Sequence, residues 1–234
     1  KYMAAEEMER DRARDPLPKL EKVVLDSGAL SKKEMEELKA EVKQEVSDAA
    51  DRAEAQPSPT AETAERNVFS PNVIVPKENF SEQRHDWKNV VMVDAINHAL
   101  HEEMKQNPKM LVYGEDIAGN KGGVFSATKG LTAAFGEKRA FNSQLAEASI
   151  IGTAIGLAIR GFKPVVEIQF GDYIWPAFMQ FKDELVHLRY RSDGNFSCPV
   201  VVRVAVGGYI RGGLYHSQSI ESFFAHMPGL WIAM

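Results

Sequence analysis

The run FNSQLAEASIIGTAIGLAIRGFKPVVEIQFGDYIWPAF, over Phe141–Phe178, constrains the fold more than any other part of the chain. Its hydrophobic period switches between strand and helix, and predicts a strand near Ala140–Ser143, a helix through IIGTAIGLAI, a strand at VVEIQF and a helix over Ile174–Tyr190. Two acids interrupt it where an apolar run should carry none: Glu147 opens the first helix and Glu167 sits inside the second strand. A carboxylate between a strand end and a helix start lies where open α/β sheets bind ligands. With Leu145 and Ile150 as apolar neighbours limiting its hydration, Glu147 is suited to carrying a proton. Complementing the positive end of the helix dipole is the plainer reading of the same position, and spacing alone leaves both open.

The alternation continues on both sides. Val93, Ile96, Leu100 and Met104 mark an amphipathic helix ending before Pro108, followed by a short strand MLVY at 110–113, the loop GEDIAGNKGG and a short helix over Leu131–Phe135. Downstream come a strand PVVVRVA at 199–205, the loop GGYIRGGLYHSQS, a helix near Glu221–Ala225 and an apolar strand LWIAM at 230–234. Strands alternating with helices call for an α/β fold with a doubly wound parallel sheet.

Upstream the pattern is only helical. Asp15-Pro16 reads as N-cap and first helical residue, with Gly28 closing that helix. Ser31 and Glu34 form a capping box opening a long charged helix whose apolar stripe is Met35, Leu38, Val42, Val46 and Ala49. Between the two parts, Pro57, Pro59, Pro71 and Pro76 rule out regular structure and indicate a linker or extended arm. Val68, Phe69, Val73, Ile74 and Val75 are too apolar for a free linker, so this stretch is expected to lie against a surface.

Charge divides the chain at about the same place. Residues 1–66 carry 12 basic and 17 acidic side chains, the whole net charge of −5, and the remainder carries 16 of each. That balance offers no basic face for nucleic acid. No apolar run is long enough to span a membrane; Ala148–Ile159 has 12 residues, the length of a buried helix. The lone Cys198 excludes an internal disulfide and reads as a buried small hydrophobe. His98 and His101 beside Glu102 and Glu103 resemble metal ligands, but an exposed polar helix face explains them better. The glycine-rich Gly207–Gly213 lacks the Lys-Ser/Thr ending of a P-loop, and no GxGxxG follows a strand. Gly152 and Gly156, one turn apart, are expected to permit close helix packing. His216 ends the glycine-rich loop after a strand; it is either a proton donor and acceptor or a surface loop histidine.

GEDIAGNKGGVF, LAEASIIGTAIGLAIRGFKPVVEIQFGDYIWPAF, LRYRSDGNF and IRGGLYHSQSIESFFAHMPGL together resemble the β subunit of the thiamine-diphosphate-dependent dehydrogenase component of 2-oxo acid dehydrogenase complexes, over about residues 88–234. DYIWPAF and LYHSQS are similar to the branched-chain form. DPLPKL and the acidic helical tail after it, residues 15–56, resemble the C-terminus of the partner α subunit. The resemblance implies a piece of an α–β fusion: a helical tail at 1–56, a proline-rich join at 57–87 and a pyrimidine-binding domain at 88–234, with the diphosphate-binding portion upstream of Lys1 and a C-terminal domain after Met234.

The resemblance further implies that Glu147 matches the glutamate that hydrogen-bonds a pyrimidine nitrogen of thiamine diphosphate and favours the imino tautomer, which takes the proton from the thiazolium carbon. Tyr173 matches the residue that stacks on the pyrimidine, Leu145 and Glu115 line that end of the cofactor, and His216 matches the loop histidine acting at the substrate and in acyl transfer. Mg2+ is expected from the α portion. The implied activity is oxidative decarboxylation of 2-oxo acids, branched-chain first, with acyl transfer to lipoyl-lysine. The implied partners are an α-type domain of the same or a neighbouring chain and the lipoyl domain of an acyltransferase, in a dimer of fused chains. The compartment would be the cytoplasm in a bacterium and the mitochondrial matrix in a eukaryote. Pyruvate or acetoin dehydrogenases, transketolase-like enzymes and a noncatalytic scaffold subunit are the alternatives; LYHSQSIESFFAHMPGL argues against transketolase, and intact Glu147, Tyr173 and His216 against a scaffold.

Overall fold

The computed structural model describes residues 5–69, 71, 89–119 and 121–234, which divide into two units, Lys1–Ala61 and Glu62–Met234. In the first, α1 (Ala5–Arg12), α2 (Pro16–Asp26) and α3 (Lys32–Glu54) follow the local signals closely. The Asp15 carboxylate accepts the Leu17 N–H at 2.9 Å and Pro16 occupies the first turn of α2. Gly28 takes the left-handed φ of +72° just past the α2 C-cap, Ser27. At α3 both halves of the capping box form: Ser31 Oγ accepts the Glu34 N–H, and the Glu34 carboxylate accepts the Ser31 N–H. Of the α3 stripe only Met35 is buried; Leu38, Val42 and Val46 are exposed.

The second unit is a parallel sheet covered on both faces. In chain order it consists of α4 (Met92–Gln106), β1 (Met110–Gly114), α5 (Leu131–Phe135), β2 (Ala140–Asn142), α6 (Glu147–Ile159), β3 (Lys163–Ile168), α7 (Leu188–Arg191), β4 (Val201–Val204) and α8 (Glu221–Phe224). The strands run in the order β2-β1-β3-β4, all parallel. Because successive strand residues face opposite ways, β1 serves two cores. Met110 and Val112 pack with Leu100, Met104, Leu131 and Ala140, while Tyr113 joins Ile150, Ile151 and Ala154 of α6, Val166 and Ile168 of β3, and Phe181 and Phe224. All five residues of β1 are buried, which is why MLVY reads as one apolar run. Arg139 fastens the end of α4 to the start of β1: its guanidinium donates to the carbonyls of Met104, Asn107 and Met110 and lies over the Phe135 ring.

Four expectations need correction. The helix over Ile174–Tyr190 is broken into a 3-10 turn at Trp175–Ala177, a π turn at Gln180–Leu185 and α7. Pro176 has no N–H to give the ladder, and the widened turn keeps Ile174, Ala177 and Phe181 in one core, with Phe181 and Phe178 both set edge-on to Phe224. LWIAM is not a strand; Leu230 packs on the core while Trp231 and Met234 are exposed, since an apolar run without a pairing edge makes no ladder. Gly152 and Gly156 do not serve close packing among the described residues: a Cβ would meet only Gln180 at 3.9 Å in the first case and nothing within 4 Å in the second. Cys198 is half-buried rather than fully buried, though burial still pushes its thiol up to about 11.

The join meets the sheet-bearing unit where it is described. Asn67 donates to the Asp193 carboxylate at 2.8 Å, and Ala64 and Val68 line a small cavity of about 180 Å³ with Val186, His187, Tyr190 and Pro228. Phe69 is exposed, and Val73, Ile74 and Val75 lie outside the described residues.

Candidate functional site

Glu115, Glu147, Tyr173 and His216 follow β1, β2, β3 and β4 respectively, so the topology gathers them at the carboxyl end of the parallel sheet. That end is where open α/β sheets place their ligands. Glu115 comes directly after β1. It is 9% exposed and leaves Oε1 buried without a partner. Its pKa is raised, first by burial and then by the charges of Glu147 and Asp116, against the smaller opposing pull of the Ala146 N–H. Glu147 is the first residue of α6, whose N-cap, Ala146, has no side chain to offer. Its carboxylate therefore stands at an uncapped, positive helix end, and its charge reaches Glu115.

Leu145 does not shield Glu147 as expected. It is 83% exposed, and Ile150 is buried in the sheet core instead. A residue in the turn before an uncapped helix projects outward when the helix face behind it is already packed. Glu147 is half-buried.

Tyr173 and His216 meet directly, with the Tyr173 hydroxyl 2.7 Å from His216 Nε2. The Phe170 ring stands edge-on to both, at 5.5 Å from Tyr173 and 4.6 Å from His216, and Phe125 packs edge-on against Phe170. Gln169 Nε2 donates to the Asp116 carboxylate at 3.2 Å, tying the loop after β1 to the end of β3. Tyr173 and His216 thus form a hydrogen-bonded pair, while Glu115 and Glu147 stand near enough for the Glu147 charge to raise the Glu115 pKa.

Glu167, the second acid of the central run, has a partner that inspection of single segments missed. It lies opposite Arg203 in the β3–β4 register and forms an ion pair with it, at 3% exposure. Burial raises the Glu167 pKa and the Arg203 guanidinium opposes that shift. Gly123, at φ +78°, brings backbone against this carboxylate; a Cβ there would lie 2.9 Å from Glu167 Oε1. The signal was present as one acid and one base in two apolar strands, VVEIQF and VVVRVA, and needed only their adjacency. Asp116, Gln169 and Phe170 were likewise not singled out, and their sequence neighbourhood holds no comparable sign.

His101 is engaged structurally, with Nε2 against the Lys129 carbonyl and its ring against Phe135. No group of three or more His, Cys, Asp or Glu side chains able to hold a metal occurs among the described residues. An aminopyrimidine, by contrast, needs hydrogen-bonding groups along one edge and apolar surface on its faces. The unpartnered Glu115 Oε1, the adjacent Glu147, the exposed Leu145 and the half-buried Tyr173 ring are the residue types that such a group requires, so the set fits. No helix among the described residues is long and apolar enough to cross a membrane.

Fold and strand-end acids together define a doubly wound α/β ligand-binding domain. Residues 88–234 match the family described as transketolase, pyrimidine binding domain, and the chain belongs to that family. Residues 1–62 match a second family, dehydrogenase E1 component. The chain is 51% identical over 142 residues to the 2-oxoisovalerate dehydrogenase subunit beta of Bacillus subtilis, covering 61% of this chain and 43% of the relative. It is 44% identical over 158 residues to the mitochondrial 2-oxoisovalerate dehydrogenase subunit beta 2 of Arabidopsis thaliana, covering 67% and 43%. It is 45% identical over 145 residues to the pyruvate dehydrogenase E1 component subunit beta of Leifsonia xyli, covering 62% and 43%. The chain thus spans less than half the length of these relatives.

Proposed function

We propose that this chain supplies the pyrimidine-binding half of a thiamine-diphosphate-dependent 2-oxo acid dehydrogenase that acts first on branched-chain substrates and transfers the acyl group to lipoyl-lysine. The observation that carries this is the apposition of Glu147, at the start of α6, with the buried and partly unsatisfied Glu115, at the ends of the adjacent strands β2 and β1. When bound, the cofactor supplies the carbon nucleophile and electron sink for decarboxylation. Glu147 would hold a proton at the pyrimidine nitrogen of the bound cofactor. Glu115 and Leu145 line the same end, the Tyr173 ring offers a stacking face, and His216 serves the substrate and acyl-transfer steps.

The names of the Bacillus and Arabidopsis relatives favour the branched-chain assignment, and that of the Leifsonia relative keeps pyruvate second. The match of residues 1–62 supports an α-like tail ahead of the join, with domain limits at 1–56, 57–87 and 88–234. Diphosphate and Mg2+ contacts are assigned to an α-type domain of the same or a neighbouring chain, in a dimer of fused chains.

The test is Glu147→Gln in the assembled enzyme. Decarboxylation should fall about 10²–10⁴-fold, the range for a lost proton-transfer group, with the fold intact by circular dichroism. Hydrogen–deuterium exchange at the reactive carbon of the cofactor, followed by NMR, should slow in parallel. Exchange within a few-fold of the parent rate would remove Glu147 from the mechanism.

A further inference from the structure

His216 is held at both ring nitrogens, and the two holds differ in kind. Nδ1 lies 3.2 Å from the Gly212 carbonyl oxygen, which can only accept. In the neutral ring Nδ1 therefore carries the proton, and Nε2 accepts from the Tyr173 hydroxyl at 2.7 Å. The local chain is shaped to allow this. A Cβ on Gly212 would lie 2.4 Å from His216 Cβ, so only glycine leaves room for the ring to fold back. The Gly212 N–H donates to Ser217 Oγ at 2.7 Å, and the Gly207 N–H to the Gln218 carbonyl at 3.0 Å closes the loop at its base. The loop's own backbone thus places Nδ1, whereas Nε2 is met by a side chain from the 3-10 turn Gly171–Tyr173 that follows a different strand, β3.

We propose that the Tyr173 hydroxyl is the positioning group for His216: with the Nδ1–H tautomer set by the Gly212 carbonyl, its bond to Nε2 fixes the orientation of the ring and keeps Nε2 as the nitrogen that exchanges protons. This rests on the reading of His216 as the acyl-transfer histidine. The bond survives a change of charge, because a phenol oxygen donates to neutral Nε2 and accepts from Nε2–H once the ring is protonated. Tyr173 then has two separate tasks, its ring face toward the cofactor and its hydroxyl toward the histidine. The edge of Phe170 confines both rings and limits the alternatives open to the imidazole. Phenylalanine in its place would keep the first task and abolish the second.

Tyr173→Phe separates them. In the enzyme assembled with its α-type portion, thiamine diphosphate affinity by calorimetry is measured beside the acyl-transfer rate, so that any loss of cofactor is read separately. Acyl transfer to a lipoyl domain should fall roughly five- to tenfold in kcat, the effect of losing one neutral hydrogen bond, with decarboxylation measured by an artificial electron acceptor less affected. On the full chain carrying isotope-labelled histidine, with the His216 signals assigned by their loss in His216→Asn, the imidazole nitrogens should report protonated Nδ1 and acceptor Nε2. In Tyr173→Phe the Nε2 signal should move toward that of an acceptor nitrogen without a donor, with Nδ1 still protonated against the Gly212 carbonyl. An unchanged imidazole spectrum in Tyr173→Phe, or Nε2–H in the parent, overturns the proposal even if His216→Asn abolishes acyl transfer. The tautomer pattern as stated together with full acyl transfer in His216→Asn overturns the acyl-transfer reading, and the positioning role with it.

Discussion

The helical tail, Lys1–Ala61, and the sheet-bearing part, Glu62–Met234, divide between them two things that helices usually have together. In the tail α2 and α3 have side-chain caps, and α3 a full capping box, yet among the described residues of that unit only Met35 is buried. In the sheet-bearing part none of α4 to α8 has a side-chain cap, yet α6 alone buries Ile150, Ile151, Ala154 and Ala158. Caps fix where a helix starts and contribute about 1 kcal/mol each, while burial of apolar area contributes about 25 cal/mol per Å². A helix anchored by burial can leave its first turn uncapped, and at α6 that open turn is where Glu147 stands beside Glu115. The tail has no such freedom, because its ends are most of what defines it.

The largest effect on stability should come from the buried charge pair on which β3 and β4 meet. Arg203→Met leaves the Glu167 carboxylate without its partner, and removing one member of a buried pair costs about 3 kcal/mol or more. Because burial already raises the Glu167 pKa, the variant should lose most at high pH, where the carboxyl must ionise without help, and least near pH 5. Replacing both residues, with Glu167→Leu added, should recover most of the loss, since paired apolar substitutes are often neutral. Denaturant unfolding at two pH values checks all three statements. A loss below about 1 kcal/mol at pH 8 would show that this pair is solvated like a surface one.

The tail should respond to a change of the opposite type. Ser31→Ala deletes the hydroxyl half of the capping box and should cost about 1 kcal/mol at the start of α3. Hydrogen exchange read by mass spectrometry should show amides 32–37 exchanging roughly fivefold faster, with the strands β1 and β3 unchanged. A protected first turn in that variant would mean that α3 is held by burial after all, and the contrast between the two parts would fail.

What was legible in the sequence follows the same division. Ser31 with Glu34, and Asp15 with Pro16, are visible because the interaction spans a few residues and nothing distant competes. The helix from Glu147 is visible because its apolar run has one destination, the face of a parallel sheet. The break after Trp175 was not, since a π turn answers to where Phe178 and Phe181 must meet Phe224. The exposure of Leu145 and the unpaired LWIAM show the converse: apolar composition says that a surface is wanted and not that this chain supplies it. At the site, motif resemblance selected Glu115, Glu147, Tyr173 and His216 one by one. That Glu115 meets Glu147 and Tyr173 meets His216 depends on strand order and loop path, which no local pattern encodes.

The smallest effect, and the one that most directly tests whether the uncapped end of α6 is a place of stored repulsion, concerns Glu115. Burial, Glu147 and Asp116 all raise its pKa, so the folded chain holds this proton more tightly than the unfolded chain does. For a carboxyl raised in this way, the stability it contributes is fully present below the ordinary carboxylate range and is lost as pH rises through the raised value. Glu115→Gln cannot ionise, keeps the shape of the side chain and removes a charge that acts against that of Glu147. Near pH 4 the variant and the parent should therefore unfold at nearly the same temperature. As pH rises toward 8 the parent should fall behind, by no more than about 1 kcal/mol because part of the repulsion is relieved by solvent at the half-buried Glu147. Calorimetric unfolding without added cofactor, at matched ionic strength across that range, reads the difference. A parent that instead gains on Glu115→Gln with rising pH would mean that the ionised Glu115 carboxylate is held by donors at the α6 end rather than destabilised by burial and neighbouring charge.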